Sequence, residues 1–129
     1  NDLRLHGQDL ETLKIPPFTE VYEIDGPYFF GIANKFDDIS RRTHSGDQKV
    51  RIIRMRKVSF IDSTGIHNLE QLHMRLQRDG IQLVLSGVNE KVFNTLDKAG
   101  LVNKIGRENV RNHINGALSR AEEIVKSGD

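Results

Sequence analysis

The sequence predicts an α/β domain built on a mixed, mostly parallel β-sheet. Two apolar runs, VRIIRM over residues 50–55 and IQLVLSGV over residues 81–88, have the length and branching of buried strands. The amphipathic stripe between them is long enough for a crossover helix, which makes the two strands parallel. The mixed character comes from FTEVYEID and YFF, which flank Gly26-Pro27 and read as a hairpin over residues 18–30.

Each element follows from its own pattern. Residues 1–17 are polar, end in Pro16-Pro17 and read as a linker or arm. The domain proper is expected over residues 18–126, with 127–129 as a tail. In the first strand Val21 and Glu23 point to one side, Tyr22 and Ile24 to the other. Ile32, Phe36 and Ile39 fall on one stripe, predicting a helix over residues 32–42. RTHSGDQK, residues 42–49, is a turn or loop. In VRIIRM the adjacent Ile52 and Ile53, flanked by Arg51 and Arg54, predict a strand buried in its middle and exposed at its ends.

After IDSTG, a second stripe runs through Ile66, Leu69, Leu72 (or His73) and Leu76 and stops at Asp79-Gly80. Asn89 is a helix cap, with Val92, Phe93 and Leu96 facing inward and Gly100 closing the helix. A short strand is expected near Lys104-Ile105. Asn109 is then expected to cap a last helix carrying Val110, Ile114, Ala117 or Leu118, Ala121 and Val125. The count is about four helices, with no internal repeat and no low-complexity segment.

Composition narrows the function classes. The chain of 129 residues has the size of one domain, and its 36% hydrophobic and 29% charged residues suit a folded one. The 19 basic and 18 acidic side chains nearly cancel, and aromatics make up only 6%, so nucleic acid is not an expected partner. Cysteine is absent, which excludes disulfides and thiolate metal sites. No apolar run approaches the ~20 residues that cross a bilayer, and no signal peptide is visible. The sequence starts at Asn1, not Met, and reads as a piece of something longer. Such a piece can come from a membrane protein and contain none of its membrane part.

The chemistry concentrates at VSFIDSTGIHNL. Val58 to Ile61 is an apolar approach and the helical stripe begins at Ile66, so Asp62, Ser63, Thr64 and Gly65 sit at a helix entrance. Asp62 or Ser63 can accept from the first-turn amides, worth about 1 kcal/mol. Gly65 lets the backbone lie close to a neighbour. The positive end of the helix also favours an anion here, including a phosphate on Ser63 or Thr64. The corner is not a hydrolytic nucleophile elbow: the glycine two residues before Ser63 is missing, and His67 lies one turn along the same helix. No catalytic residues are expected, and the chain is not read as an enzyme.

Other candidates are weaker. His6, His44, His67, His73 and His113 are scattered without metal-ligand spacing, so no metal is expected; His67 and His113 read as polar-face or helix-edge residues. The basic run Arg51, Arg54, Arg56 and Lys57 reads either as a solvated strand edge or as a contact for anionic lipid headgroups or an acidic partner. The glycines form neither GxGxxG nor a Walker loop, and no cofactor is expected.

The stretch from VRIIRM through FIDSTG, GIQLVLSGV and NTLDKAGL resembles the heart of a STAS domain, over about residues 18–126. That fold is shared by anti-sigma-factor antagonists and by the cytoplasmic tails of SulP-family sulfate and anion transporters. EVYEIDGPYFFGIANKF and RMRKVSFIDSTGIHNLE are similar to the transporter branch, and KIPP suits a tether after a membrane domain. The resemblance implies a regulatory and interaction domain on the cytoplasmic side of the inner or plasma membrane. Its implied partner is the transmembrane domain of the same transporter, with further protein partners at Asp62, Ser63, Thr64 and Gly65. A homodimer and nucleotide binding are left open. The alternative it implies is a free anti-sigma-factor antagonist, in which the residue matching Thr64 is phosphorylated.

Overall fold

The structure, a computed structural model, describes residues 14–24 and 48–127. Strands β1 (Thr19–Glu23), β2 (Val50–Arg54) and β3 (Gln82–Ser86) form a parallel sheet in the order β1-β2-β3. Helices α1 (Ser63–Arg78), α2 (Glu90–Lys98), α3 (Leu101–Ile105) and α4 (Ile114–Ser127) follow in sequence. A 3-10 turn at Arg107–Asn109 separates α3 from α4.

Alternation along the strands sorts the helices into two layers. Ile53, Leu83 and Leu85 pack with α1, α2 and α3 through Leu69, Leu72, Leu76, Val92, Leu96, Leu101 and Ile105. Val50, Ile52 and Val84 pack with α4 through Ile114, Ala117, Leu118, Ala121 and Val125. A parallel sheet covered on both faces needs apolar side chains on both sides of its strands, which Val50, Ile52 and Ile53 on β2 and Leu83, Val84 and Leu85 on β3 supply. Burying one such Leu or Ile fully favours folding by about 1.5–3 kcal/mol. On β1, Tyr22 and Ile24 join the first layer and Val21 the second, as the alternation predicts.

Three expectations are corrected. Arg51 and Arg54, expected at exposed strand ends, are only 1% and 5% exposed. β2 is the middle strand, so neither an edge nor a face of it is open. Arg51 Nη2 reaches Glu20 Oε1 on β1 at 3.3 Å, and its guanidinium lies over the Tyr22 ring at 5.5 Å. The strand expected near Lys104-Ile105 is helix α3 instead; the strand-like pairing comes at Val110, which bridges Leu85 in parallel.

That bridge also explains why Asn109 does not cap the last helix. The amide of Arg111 donates to Leu85 O at 2.8 Å, so the backbone just after Asn109 belongs to the sheet and α4 begins only at Ile114. Asn109 is buried in the 3-10 turn, donating to Ile105 O at 2.8 Å and accepting from Arg120 Nε at 2.7 Å. His113 takes over the capping, with Nδ1 accepting the Asn115 amide at 3.1 Å. The hairpin partner at residues 28–30 and the helix expected over 32–42 lie outside the described residues.

Candidate functional site

Asp62 is the residue that caps α1. Its backbone is extended, and Oδ1 accepts from the Gly65 amide at 2.9 Å while its carbonyl takes the Ile66 amide at 2.9 Å. Ser63 and Thr64 occupy the first turn and are exposed, and that turn contains no acidic residue. Gly65 is buried for a steric reason: a Cβ there would stand 2.7 Å from Ile61 Cγ1. The apolar approach is split, with Val58 and Ile61 buried and Phe60 44% exposed.

A second cap locks this approach in place. Asn89 Oδ1 accepts from the Val92 amide at 2.7 Å, closing the start of α2. Its Nδ2 donates to Val58 O at 3.1 Å, across 31 residues of sequence. One side chain therefore fixes both the entrance of α2 and the strand exit that leads to the corner.

The outward face of α1 continues the corner. Thr64, His67, Gln71, Met74 and Arg78 are all exposed, and their spacing of three and four puts them on one side. Met74, at 50% exposure, is an apolar side chain on this face. The flank is tied to α3 through Lys104, whose Nζ pairs with Glu70 and whose backbone lies beside the His73 imidazole. The hydrogen bond and charge of Lys104 hold the Glu70 carboxyl below its usual range. Burial holds the His73 imidazole below its usual range, against the Lys104 carbonyl and the Glu70 charge.

The basic run is divided between interior and surface. Arg51 and Arg54 are inside the sheet, on opposite faces of β2. Arg56 is exposed and Lys57 half-buried, and both approach Glu23 Oε2, at 3.3 and 3.6 Å. His67 is exposed on α1 and His113 is exposed at the start of α4, so the two are not brought together. Among the described residues no three His, Asp or Glu side chains converge on a metal position, and no helix is long and apolar enough to cross a membrane.

The fold has known counterparts. Residues 11–117 match the family described as the STAS domain. The chain belongs to the STAS domain family. Among curated relatives, this STAS domain is 32% identical over 100 residues to a probable sulfate transporter 4.2 of Arabidopsis thaliana, covering 68% of the chain and 15% of the relative. It superimposes on a sulfate transporter family protein from Wolinella succinogenes with TM-score 0.81 and 35% identity, covering 90% of this chain and 94% of that one. The SulP transporter STAS domain from Vibrio cholerae gives TM-score 0.79 and 30% identity, covering 98% and 99%. The chain spans about a fifth or less of the length of the curated relatives it matches first.

Sequence spacing placed Asp62, Ser63, Thr64 and Gly65 at a helix entrance, where α1 begins, but left Asp62 and Ser63 as alternative caps; the structure assigns Asp62. It missed Asn89 as a tie to Val58 and Lys104 as the link between α1 and α3. Both contacts join residues more than 30 positions apart, where no helical or strand period gives a signal.

Proposed function

We propose that this STAS domain is a non-catalytic regulatory and interaction module of a SulP-type anion transporter, lying on the cytoplasmic side of the membrane. Its docking surface is the Asp62–Ser63–Thr64–Gly65 corner with the outer face of α1, and its partner is the transmembrane part of the same protein. One observation carries the reading: Asp62 alone supplies the cap, so the exposed hydroxyls of Ser63 and Thr64 stand clear of the fold's own needs. Phe60 and Met74, 44% and 50% exposed, add apolar area of the kind protein contacts use. Similarity to transporters that are several times longer supports the assignment of the partner. The free antagonist switched at Thr64 shares the exposed hydroxyl, but relatives named as sulfate transporters favour the first reading.

Arg56 and Lys57 are the members of the basic run that reach the surface, and contact with anionic lipid headgroups or an acidic partner falls to them. The domain itself is assigned no catalytic residue, metal or cofactor. Anion uptake by the full-length transporter carrying Thr64→Glu tests the reading. A negative charge at the positive end of α1 is tolerated by the fold, so uptake should change while membrane abundance does not. Unchanged uptake with normal folding and abundance overturns the docking role of the corner.

A further inference from the structure

On the opposite side of the sheet from α1, the exits of two strands meet a helix start. β2 and β3 are parallel, with Arg54 in register with Ser86. Both residues lie two positions beyond apolar residues that pack on α4, Ile52 and Val84, and so face α4. Between these strand exits and α4 is a cavity of about 290 Å³, lined by Arg54, Arg56, Ser86, Gly87 and residues 112–115.

Ser86 is the informative residue. It is 1% exposed, lines the cavity, and its Oγ has no hydrogen-bond partner among the described residues. A buried hydroxyl left in that state is costly, and such groups are normally satisfied. Around it the chain places groups that favour negative charge. The first-turn amides of α4 have no partner within the helix, and His113 Nδ1 takes only that of Asn115. Gly87, at φ +70°, lies so close to the Arg56 main chain that a Cβ would stand 2.8 Å from the Arg56 backbone nitrogen. None of the described residues lining it is acidic, and the neighbouring Glu23 carboxylate is shared by Arg56 and Lys57.

We propose that this recess binds a small tetrahedral oxyanion, sulfate or hydrogen phosphate, between Arg54, Arg56, Ser86 Oγ and the first turn of α4. Ser86 Oγ donates to one anion oxygen, the first-turn amides to others, and the two guanidinium groups supply the charge. Parallel sheets bind ligands at the carboxyl ends of their strands, which is where this recess lies. The site is independent of the α1 corner, because α1 and α4 cover opposite faces of the sheet.

Amide NMR titration of the 129-residue chain with sodium sulfate, and separately with sodium phosphate, tests the proposal at ionic strength held constant with chloride. Saturable shifts centred on Ser86, Gly87 and residues 113–116 are expected for at least one of the two anions. Ser86→Ala, which removes a hydrogen bond to a charged group, should weaken binding about tenfold or more. Arg56→Gln, at an exposed cation, should weaken it about two- to fivefold. Thr64→Ala, on the other face, should leave it unchanged. Absence of saturable shifts for both anions overturns the site, as does binding that a folded Ser86→Ala variant retains in full.

Discussion

The Asp62 carboxylate accepts the Gly65 amide at 2.9 Å, spanning the two exposed hydroxyl residues between them. The acid that looks like part of a functional tetrad is therefore structural, and the hydroxyls beside it are not. Asp62→Ala should cost about 0.5–2 kcal/mol of stability, the usual loss for a helix cap. Ser63→Ala should change stability by less than about 0.5 kcal/mol, as for an exposed residue away from such features. Urea unfolding of both variants checks the assignment. A larger loss from Ser63→Ala than from Asp62→Ala would give the cap to the serine.

The packed face of α1 gives a second expectation. Leu72 is 3% exposed and sits in the same cluster as Ile53, Leu83 and Leu85, so its removal leaves a hole against the sheet. Leu72→Ala should cost about 2–5 kcal/mol, combining lost burial with an unfilled cavity. Met74, two residues along the same helix and half exposed, should tolerate alanine within about 0.5 kcal/mol. Denaturant midpoints of the two variants should differ widely; similar midpoints would mean that the buried face is elsewhere.

These faces were legible because apolar spacing reports directly on which side of an element is covered. The stripe at 66, 69, 72 and 76 and the run over 81–88 needed no knowledge of their neighbours. Arg51 and Arg54 misled for the complementary reason. An arginine at a strand end is ordinarily solvated, and only the order β1-β2-β3, which places their strand in the middle, encloses them. The start of α4 was misplaced by the same kind of tertiary decision. Asn109 is a good cap by type, but the pairing of Val110 and Arg111 with Leu85 commits the following backbone to the sheet. In the site, the corner was visible as a tetrad between two patterns. The Ser86 recess was not, because Ser86 reads from sequence only as the polar end of an apolar strand.

Gly87 and Gly80 make a controlled pair for backbone approach. Both have positive φ, +70° and +77°, so alanine is strained at each. That strain alone is worth about 1–2 kcal/mol. Gly80 has open space around its missing Cβ, whereas at Gly87 the new methyl would meet the Arg56 backbone at 2.8 and 2.9 Å. A backbone neighbour cannot swing aside, so Gly87→Ala should cost about 1–3 kcal/mol more than Gly80→Ala, as overpacking does. Equal losses in urea unfolding would show that the two strand exits can separate freely.

His73 should make stability fall as the solution becomes mildly acidic. Its imidazole is 7% exposed on α1, beside Glu70 on its own helix and the Lys104 carbonyl of α3. Burial lowers its pKa in the folded state, while the unfolded chain protonates near the ordinary value of about 6.5. Between those two pKa values the unfolded state holds more protons, so folding weakens as pH falls through that window. The contribution is fully present above about pH 6.5 and is lost progressively below it. Glu70, whose pKa is lowered chiefly by its hydrogen bond and charge interaction with Lys104, acts with the same sign. Its window opens only below the ordinary carboxyl range, near about 4.3, so the two are separable. His73→Gln keeps a side-chain donor toward Lys104 but cannot titrate. Urea unfolding between about pH 7.5 and 5.5 should show a decline in the parent chain that is shallower in His73→Gln. Superimposable pH profiles would show that the His73 ring takes up its proton as easily in the fold as outside it.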